Sequence, residues 1–157
     1  MYKRILVPTD GSPISSAAAD GAIQLARACG SELIAFSVAT PHAYSGGAVG
    51  GLVSGAGPQV DLLLEQAERL AAGVAERAQA AGVPCTTLTT YSLSPGEAIV
   101  DAARDRNCDL IVMGSHGIRG LTRLIVSSVT QHVLAYSEVP VTVFRPARND
   151  AGGSTFS

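Results

Sequence analysis

The sequence has few aromatic residues and few charges. Its 157 residues include no tryptophan, and only 4% are aromatic and 15% are charged, whereas 46% are hydrophobic. The core must therefore consist mainly of alanine, valine, isoleucine and leucine, which is typical of helices packed on a sheet and not of an aromatic-rich β-sandwich. A chain of this length favours a single domain with a complete core.

A strong net charge and a long apolar segment are also missing. The formal charge of -2 at pH 7 offers no electrostatic surface to nucleic acid or to an anionic membrane, so we expect neither partner. No apolar run could cross a bilayer, and the opening MYKRILVPTDGS lacks the apolar core of a signal peptide. These absences predict a cytoplasmic protein.

Cysteine is rare and scattered. Cys29, Cys85 and Cys108 form an odd-numbered set without CxxC spacing. This pattern argues against a disulfide framework and against a metal site. We interpret the three residues as small core side chains in a reducing compartment.

Five short β-prone segments predict strands, and the amphipathic segments between them predict four helices. The predicted strands are Arg4–Val7, Leu33–Val38, Cys85–Tyr91, Leu110–Met113 and Val139–Phe144. The predicted helices begin at Pro13, Pro58, Pro95 and Ser127–Ser128, and they end near Cys29, Gly82, Arg106 and Tyr136. Ser12 is the predicted N-cap of the first helix, and Ser94-Pro95-Gly96-Glu97 has the spacing of a capping box.

Two segments differ from the rest of the chain in composition. Glycine is too dense in residues 39–57 for a helix or a strand, which predicts a flexible surface loop. This loop is either a lid over a ligand or a tolerated insertion. Residues 147–157 are predicted to be a disordered tail, so the domain is expected to span residues 1–146.

The alternation of elements predicts an α/β fold with a doubly wound, five-stranded parallel sheet and right-handed crossovers. The strands containing Ile5, Leu33 and Leu110 are apolar enough to be central. The strands containing Cys85 and Val141 are more polar or shorter, and we expect them at the edges. These assignments give the strand order 3-2-1-4-5.

A glycine-rich loop follows the fourth strand, and Asp10 ends the first. Ligands of open α/β sheets bind outside the point where the strand order reverses, which here lies between these two strands. Gly114-Ser115-His116-Gly117 and the helix start at Ser127–Ser128 together have the composition of an anion pocket. The alternative is a tight turn with glycines at positive φ and a serine N-cap, which binds nothing.

Three blocks of the sequence resemble the universal stress protein family, in the family's order and over essentially the whole chain. They are ILVPTDGS, DLIVMGSHG and EVPVTVF. The resemblance implies a fold like that of the adenine nucleotide alpha hydrolases and an ATP-binding regulatory protein of the stress response. ATP-binding members resemble one another in G-x2-G-x9-G-[ST]. Gly114, Gly117 and Ser128 fit that pattern, and Ser127 stands where its third glycine is expected.

The resemblance also implies a set of ligand-binding residues. Pro8, Thr9 and Asp10 would line the ribose and adenine, with Asp10 near the ribose hydroxyls or near a phosphate-bound Mg²⁺. Val38 would cover the adenine and offer backbone hydrogen bonds. Other residues would surround the ribose and the phosphates: Met113, Gly114, Ser115, His116, Gly117, Arg119, Gly120, Ser127, Ser128 and Val129.

Each of these assignments has a simpler alternative. Asp10 is also a common residue for capping a turn before glycine, Val38 fits an ordinary core position, and Arg119 fits a solvated surface charge. His116 fits a polar wall residue better than a base, because no carboxylate partner is identifiable.

Three functions are compatible with the sequence. The first is a nucleotide-binding regulatory protein, and the second is a nucleotide-independent chaperone-like or scaffold protein in which Ser127 closes the phosphate site. The third is an ATP hydrolase or adenylate-forming enzyme. Because GxxxxGK[ST] and a base–nucleophile pair are absent from the sequence, we expect at most slow ATP hydrolysis.

The last strand offers Val141–Phe144 as an open sheet edge. Two such edges pair readily about a twofold axis, so the segment predicts a homodimer, as the family resemblance also implies. The alternative is an edge protected by Pro140 and Arg145.

Overall fold

The structure, a computed structural model, describes residues 1–41, 56–115 and 126–146. Five strands and four helices alternate along these ranges. The strands are β1 (Arg4–Pro8), β2 (Glu32–Ala39), β3 (Cys85–Tyr91), β4 (Leu110–Gly114) and β5 (Val141–Phe144). The helices are α1 (Pro13–Cys29), α2 (Ala56–Ala80), α3 (Pro95–Asp105) and α4 (Ser128–Tyr136).

The strands form one parallel sheet in the order β3-β2-β1-β4-β5, which confirms the predicted topology. In the register of β1 and β2, Pro8 pairs with Phe36, whereas β2 continues to Ala39. The tip of β2 therefore extends beyond the tip of β1. Among the described helices, none is long and apolar enough to cross a membrane.

Two hydrophobic cores cover the two faces of the sheet. The first core joins the sheet to α1 and α2 through residues such as Val7, Leu33, Leu110, Ala22 and Val74. The second core joins the opposite face to α3 and α4, and it contains Leu6, Phe36, Met113, Ile99 and Val133. Side chains of a strand alternate between the faces, so both faces of the central strands are buried and their sequences are apolar throughout.

Two of the three serines predicted at helix starts act as N-caps. The hydroxyl of Ser12 accepts a hydrogen bond from the N–H of Ser15, and the hydroxyl of Ser127 accepts one from the N–H of Thr130. The capping box at Ser94 was a wrong prediction, since this side chain makes no cap hydrogen bond. Its ψ of 77° differs from the 155° of Ser12 and Ser127, so its hydroxyl is not directed at the helix start.

Other predicted boundaries shift by a few residues. The last strand begins at Val141 and not at Val139, although the carbonyl of Pro140 still accepts a hydrogen bond from the N–H of Ile111. Ala39 belongs to β2, and α2 begins at Ala56, before the predicted start at Pro58. The remainder of the predicted flexible loop, 42–55, and the predicted tail, 147–157, lie outside the described residues.

The end of β4 packs directly against the first turn of α1. A Cβ atom on Gly114 would lie 3.0 Å from Cγ2 of Ile14, and 3.2 Å from the backbone atoms Ile14 C and Ser15 N. Gly114 is not among the positive-φ glycines of the described chain. The close approach of two backbones therefore requires glycine here, and the alternative of a positive-φ turn at this residue was wrong.

We predict that Gly114→Ala lowers the free energy of unfolding by about 1 to 3 kcal/mol, because the added methyl group must displace backbone atoms. The matched control is Gly73→Ala in the middle of α2, where an added Cβ meets nothing within 4 Å. That substitution should raise the stability by about 0.5 to 1 kcal/mol, since alanine is the better helix former. Urea denaturation measures both changes, and equal effects of the two substitutions would contradict the packing argument.

The three cysteines are free, and Cys108 is buried while Cys29 and Cys85 are half-buried. Burial raises the pKa of the Cys108 thiol to about 11, with a smaller opposing effect from Arg4. Burial also raises the pKa of Cys85.

We predict that iodoacetamide at pH 8 labels Cys29 well before Cys108 in the folded protein. With a pKa of about 11, only roughly one thousandth of the Cys108 thiol is in the reactive thiolate form at that pH. Peptide mass spectrometry before and after unfolding gives the labelling rates. Labelling of native Cys108 as fast as that of Cys29 would contradict the burial.

Candidate functional site

The tips of β1 and β4 meet at a crevice on the side of the sheet that carries α3 and α4. A cavity of about 190 Å³ lies there. Eight of the predicted ligand-binding residues line it: Pro8, Thr9, Asp10, Val38, Met113, Gly114, Ser127 and Val129. The crevice therefore occupies the place where the reversal of strand order predicts a ligand site.

The remaining predicted residues do not line this cavity in the described part of the chain. Ser115 is buried at the end of β4, where its N–H donates to the carbonyl of Phe144 at 2.8 Å. Ser128 is exposed at the first position of α4. Four others lie outside the described residues: His116, Gly117, Arg119 and Gly120.

The cavity has six further lining residues that sequence reasoning missed. They are Ser15, Phe36, Thr40, Pro95, Ile99 and Thr130. The alternation of side chains along a strand would have found two of them, because Phe36 and Thr40 share a face of β2 and its extension with the predicted Val38. The residues of α1, α3 and α4 depend on how those helices are placed over the sheet.

Asp10 caps the turn into α1, as its simpler alternative predicted, and it also lies at the cavity. Its Oδ1 accepts a hydrogen bond from the N–H of Ser12 at 2.9 Å, which fixes the turn into α1. The side chain is nevertheless exposed and lines the cavity, where it is the one charged residue among the described lining. Hydroxyls of Thr9 and Ser15 lie 3.4 Å apart beside it. One wall of the crevice is therefore polar and acidic.

The opposite wall presents backbone groups of β2. Alternate residues of this strand direct their N–H and C=O groups to opposite neighbours. The carbonyl of Ala39 accepts from Ser92 on the β3 side, whereas the carbonyl of Phe36 accepts from Thr9 on the β1 side. Val38 lies two residues after Phe36 and therefore directs its N–H and C=O to the same side, toward the crevice. In the described part of the chain, no turn or loop hydrogen bond reaches these two groups.

A hydroxyl network fixes the first turn of α4 to the end of β4. Oγ1 of Thr130 lies 3.1 Å from the carbonyl oxygens of Gly114 and Ser115, to which only a donor can bind. The contact of 2.9 Å between Thr130 Oγ1 and Ser127 Oγ must then use the Ser127 proton. Ser127 Oγ in turn accepts the N–H of Thr130 at 3.2 Å. Helix α4 is thereby held against the crevice.

The serine that replaces the third motif glycine is unstrained. Ser127 has φ −60° and ψ 155°, an extended backbone that any residue adopts, and its N–H donates to the carbonyl of Ser115 at 2.9 Å. Its hydroxyl is occupied by the N-cap bond to Thr130. The backbone at this position therefore does not require glycine.

A larger hollow of about 380 Å³ lies elsewhere, between the edge strand β3 and helix α3. Its lining includes Leu88, Thr90, Glu97, Asp101 and Asp105, and it does not reach the tips of β1 and β4. It is an open groove at a sheet edge. Although it is larger, the smaller cavity is the better candidate for a ligand site because it lies at the tips of β1 and β4.

The residues of the crevice do not form a metal site on their own. No group of three or more His, Cys, Asp or Glu side chains within residues 1–41, 59–115 and 126–146 could hold a metal ion. Mg²⁺ is often bound through one or two carboxylates together with phosphates of a substrate. Asp10 fits that arrangement as a single carboxylate, with the other ligands coming from a nucleotide and from water.

Comparisons with known proteins agree with the fold and the motifs. The Universal stress protein family matches residues 1–145 of the chain. The universal stress protein MJ0531 of Methanocaldococcus jannaschii is 32% identical over 153 residues, which cover 96% of this chain and 86% of that protein.

Two solved structures are similar over nearly their full length. The universal stress protein UspA from Lactobacillus plantarum has a TM-score of 0.73 and 28% identity, and the match covers 92% of this chain and 98% of that one. A universal stress protein solved in complex with cAMP has a TM-score of 0.64 and 26% identity, with 93% and 99% coverage. The sequence match, the strand order and the glycine loop after β4 lead to one conclusion: the chain belongs to the universal stress protein family.

Proposed function

We propose that this universal stress protein is a regulatory module of the stress response that binds an adenine nucleotide, with ATP as its ligand, in the crevice between β1 and β4. The observation that carries the proposal is that the backbone N–H and C=O of Val38 face the crevice without a hydrogen-bond partner among the described residues, at the mouth of a cavity whose exposed surface is mainly apolar. A related protein of known structure is a complex with cAMP, which has the same base and ribose.

The cavity suits the base in shape and chemistry. Phe36, Ile99, Met113 and Val129 supply apolar walls for a flat ring system. The N–H of Val38 is a donor for N1 of adenine, and its carbonyl is an acceptor for the 6-amino group. At about 190 Å³ the cavity is smaller than the roughly 300 Å³ of a complete small-molecule site, so the ribose and phosphates extend beyond it.

Two described parts of the chain then adjoin the ribose and the phosphates. Asp10 accepts hydrogen bonds from ribose hydroxyls or binds a Mg²⁺ carried by the phosphates, while the start of α4 at Ser127 and Ser128 faces the phosphates with the positive end of the helix dipole. Asp10 Oδ1 accepts a hydrogen bond from Ser12, and no hydrogen bond among the described residues uses Oδ2, so the carboxylate keeps acceptor sites for the ligand.

We predict that isothermal calorimetry detects binding of Mg-ATP to the wild-type protein, and that Asp10→Asn weakens it about 5- to 50-fold by removing a charged acceptor. Asp61→Asn, on an exposed turn of α2 away from the crevice, is the control and should bind as the wild type does. Absence of binding at millimolar Mg-ATP would remove the proposed function.

We predict that Ser127→Gly leaves the affinity for Mg-ATP within about threefold of the wild type, because the backbone of Ser127 is already extended and unstrained. The same substitution should lower the stability by only a few tenths of a kcal/mol, since glycine is a tolerable N-cap. Binding that is absent in the wild type and gained in Ser127→Gly would instead support the nucleotide-independent scaffold function.

The dimer also remains a proposal, and it rests on β5. This strand is an edge of the sheet, and the carbonyl of Phe144 faces β4, where it accepts from Ser115. Val143 is the residue next to Phe144, so its N–H and C=O point in the opposite direction, away from β4. They are available to the same strand of a second copy.

We predict that light scattering gives twice the chain mass of 16.0 kDa for the wild type. Val143→Pro should give the monomer mass, because proline removes the outward N–H while the hydrogen bonds between β5 and β4 remain. The matched control is Thr87→Pro, which removes an outward N–H from the other edge strand, β3. A monomeric wild type, or dissociation by both substitutions alike, would contradict pairing through β5.

A further inference from the structure

Thr40 lies directly after β2 and lines the cavity. Among the buried side-chain nitrogen and oxygen atoms of the described residues, its Oγ1 is the one without a hydrogen-bond partner. Buried hydroxyls in native proteins nearly always have a partner, and a functional role is one of the explanations for an exception. An orphaned hydroxyl beside the proposed base site therefore needs an explanation.

The position of Thr40 relative to Val38 supplies one. The two residues follow each other on the same side of the extended chain, about 7 Å apart along it. Val38 offers its backbone to one edge of a base, and Thr40 lies where the adjacent edge of that base would be. A rotation of about 120° about the Cα–Cβ bond moves the hydroxyl of a threonine to another staggered position, and one of these positions lets Oγ1 face the cavity.

The chemistry of a hydroxyl fits the part of adenine that Val38 leaves unpaired. The carbonyl of Val38 uses one hydrogen of the 6-amino group and its N–H uses N1. The second amino hydrogen and N7 remain, and they lie on the neighbouring edge of the ring. A threonine hydroxyl both donates and accepts, so it can bind either of them. Among the described lining residues, Pro95 and Ile99 are apolar and offer this edge no hydrogen bond.

We propose that the Thr40 hydroxyl is a specificity-determining ligand of the nucleotide base, which it recognises at the edge carrying N7 and the second 6-amino hydrogen. The inference rests on the proposed function, since it assigns a further contact within the same site. The hydroxyl has no partner in the unliganded fold and gains one when the nucleotide binds.

This role has a signature that a structural threonine lacks. Thr40→Val keeps the shape of the side chain and removes the unpaired hydroxyl, so it should raise the melting temperature of the nucleotide-free protein by about 2 to 4 °C. The same variant should bind Mg-ATP about 3- to 10-fold more weakly. Thr40→Ser retains the hydroxyl and should bind within about twofold of the wild type. Thr87→Val, on an exposed position of β3, is the control and should not change the affinity.

Two ATP analogues distinguish which atom of the base forms a hydrogen bond with the Thr40 hydroxyl. One is 7-deaza-ATP, which lacks N7, and the other is purine riboside triphosphate, which lacks the 6-amino group. Calorimetry of wild type and Thr40→Val with ATP and both analogues forms two double-mutant cycles. For at least one analogue, the loss on Thr40→Val should fall to less than twofold.

Three results would overturn the inference. They are equal binding of Mg-ATP by wild type and Thr40→Val, a lower melting temperature of Thr40→Val, and full additivity with both analogues. In each case binding by the wild type leaves the proposed function intact. A wild type that binds no adenine nucleotide would overturn the proposed function and this inference together.

Discussion

The parallel pairing of β1 with strands on both of its sides is the constraint on which the site depends. β1 pairs with β2 on one side and with β4 on the other, while the chain connects it only to β2. The helices that follow these two strands, α1 and α4, therefore pack on opposite faces of the sheet, and no described helix crosses the space between the two tips. At other places in the sheet, the backbone of a strand is covered by the core, whereas the backbone at the tips of β1 and β4 opens onto a crevice.

Local hydrogen bonds keep that crevice in a fixed shape. On one side Asp10 and Ser12 hold the turn into α1, and on the other Thr130 ties α4 to the end of β4. Gly114 allows α1 and β4 to approach more closely than a residue with a Cβ would without displacing its neighbours. The polar groups that would face a ligand are therefore held by rigid elements, which favours binding without a large rearrangement.

Much of this architecture could be predicted from the sequence. The apolar content of the strands was enough to order the sheet, and the N-caps at Ser12 and Ser127 follow from residue type. The cap at Ser94 failed because hydroxyl capping depends on ψ, which the residue type does not determine. Gly114 lines the cavity at the tip of β4, but its close contact with Ile14 depends on the packing of α1, which no local pattern reveals.

Thr40 shows a different limit. The glycine-rich composition of residues 39–57 led to its assignment to a loop, whereas β2 continues to Ala39 and Thr40 extends its alternation into the cavity. Composition averages over a window, and so it conceals the first residue after a strand. The unpaired hydroxyl is a property of burial and hydrogen bonding in the folded chain, which composition does not determine.

In the proposed complex, the backbone of Val38 binds the base of an adenine nucleotide in the crevice between β1 and β4. This contact can be measured by titrating the ¹⁵N-labelled protein with Mg-ATP and following its amide NMR signals. We predict that the Val38 amide proton moves downfield as it enters a hydrogen bond, together with shifts at Asp10 and Ser127. Shifts confined to the groove between β3 and α3, or a Val38 amide that does not respond to saturating nucleotide, would contradict it.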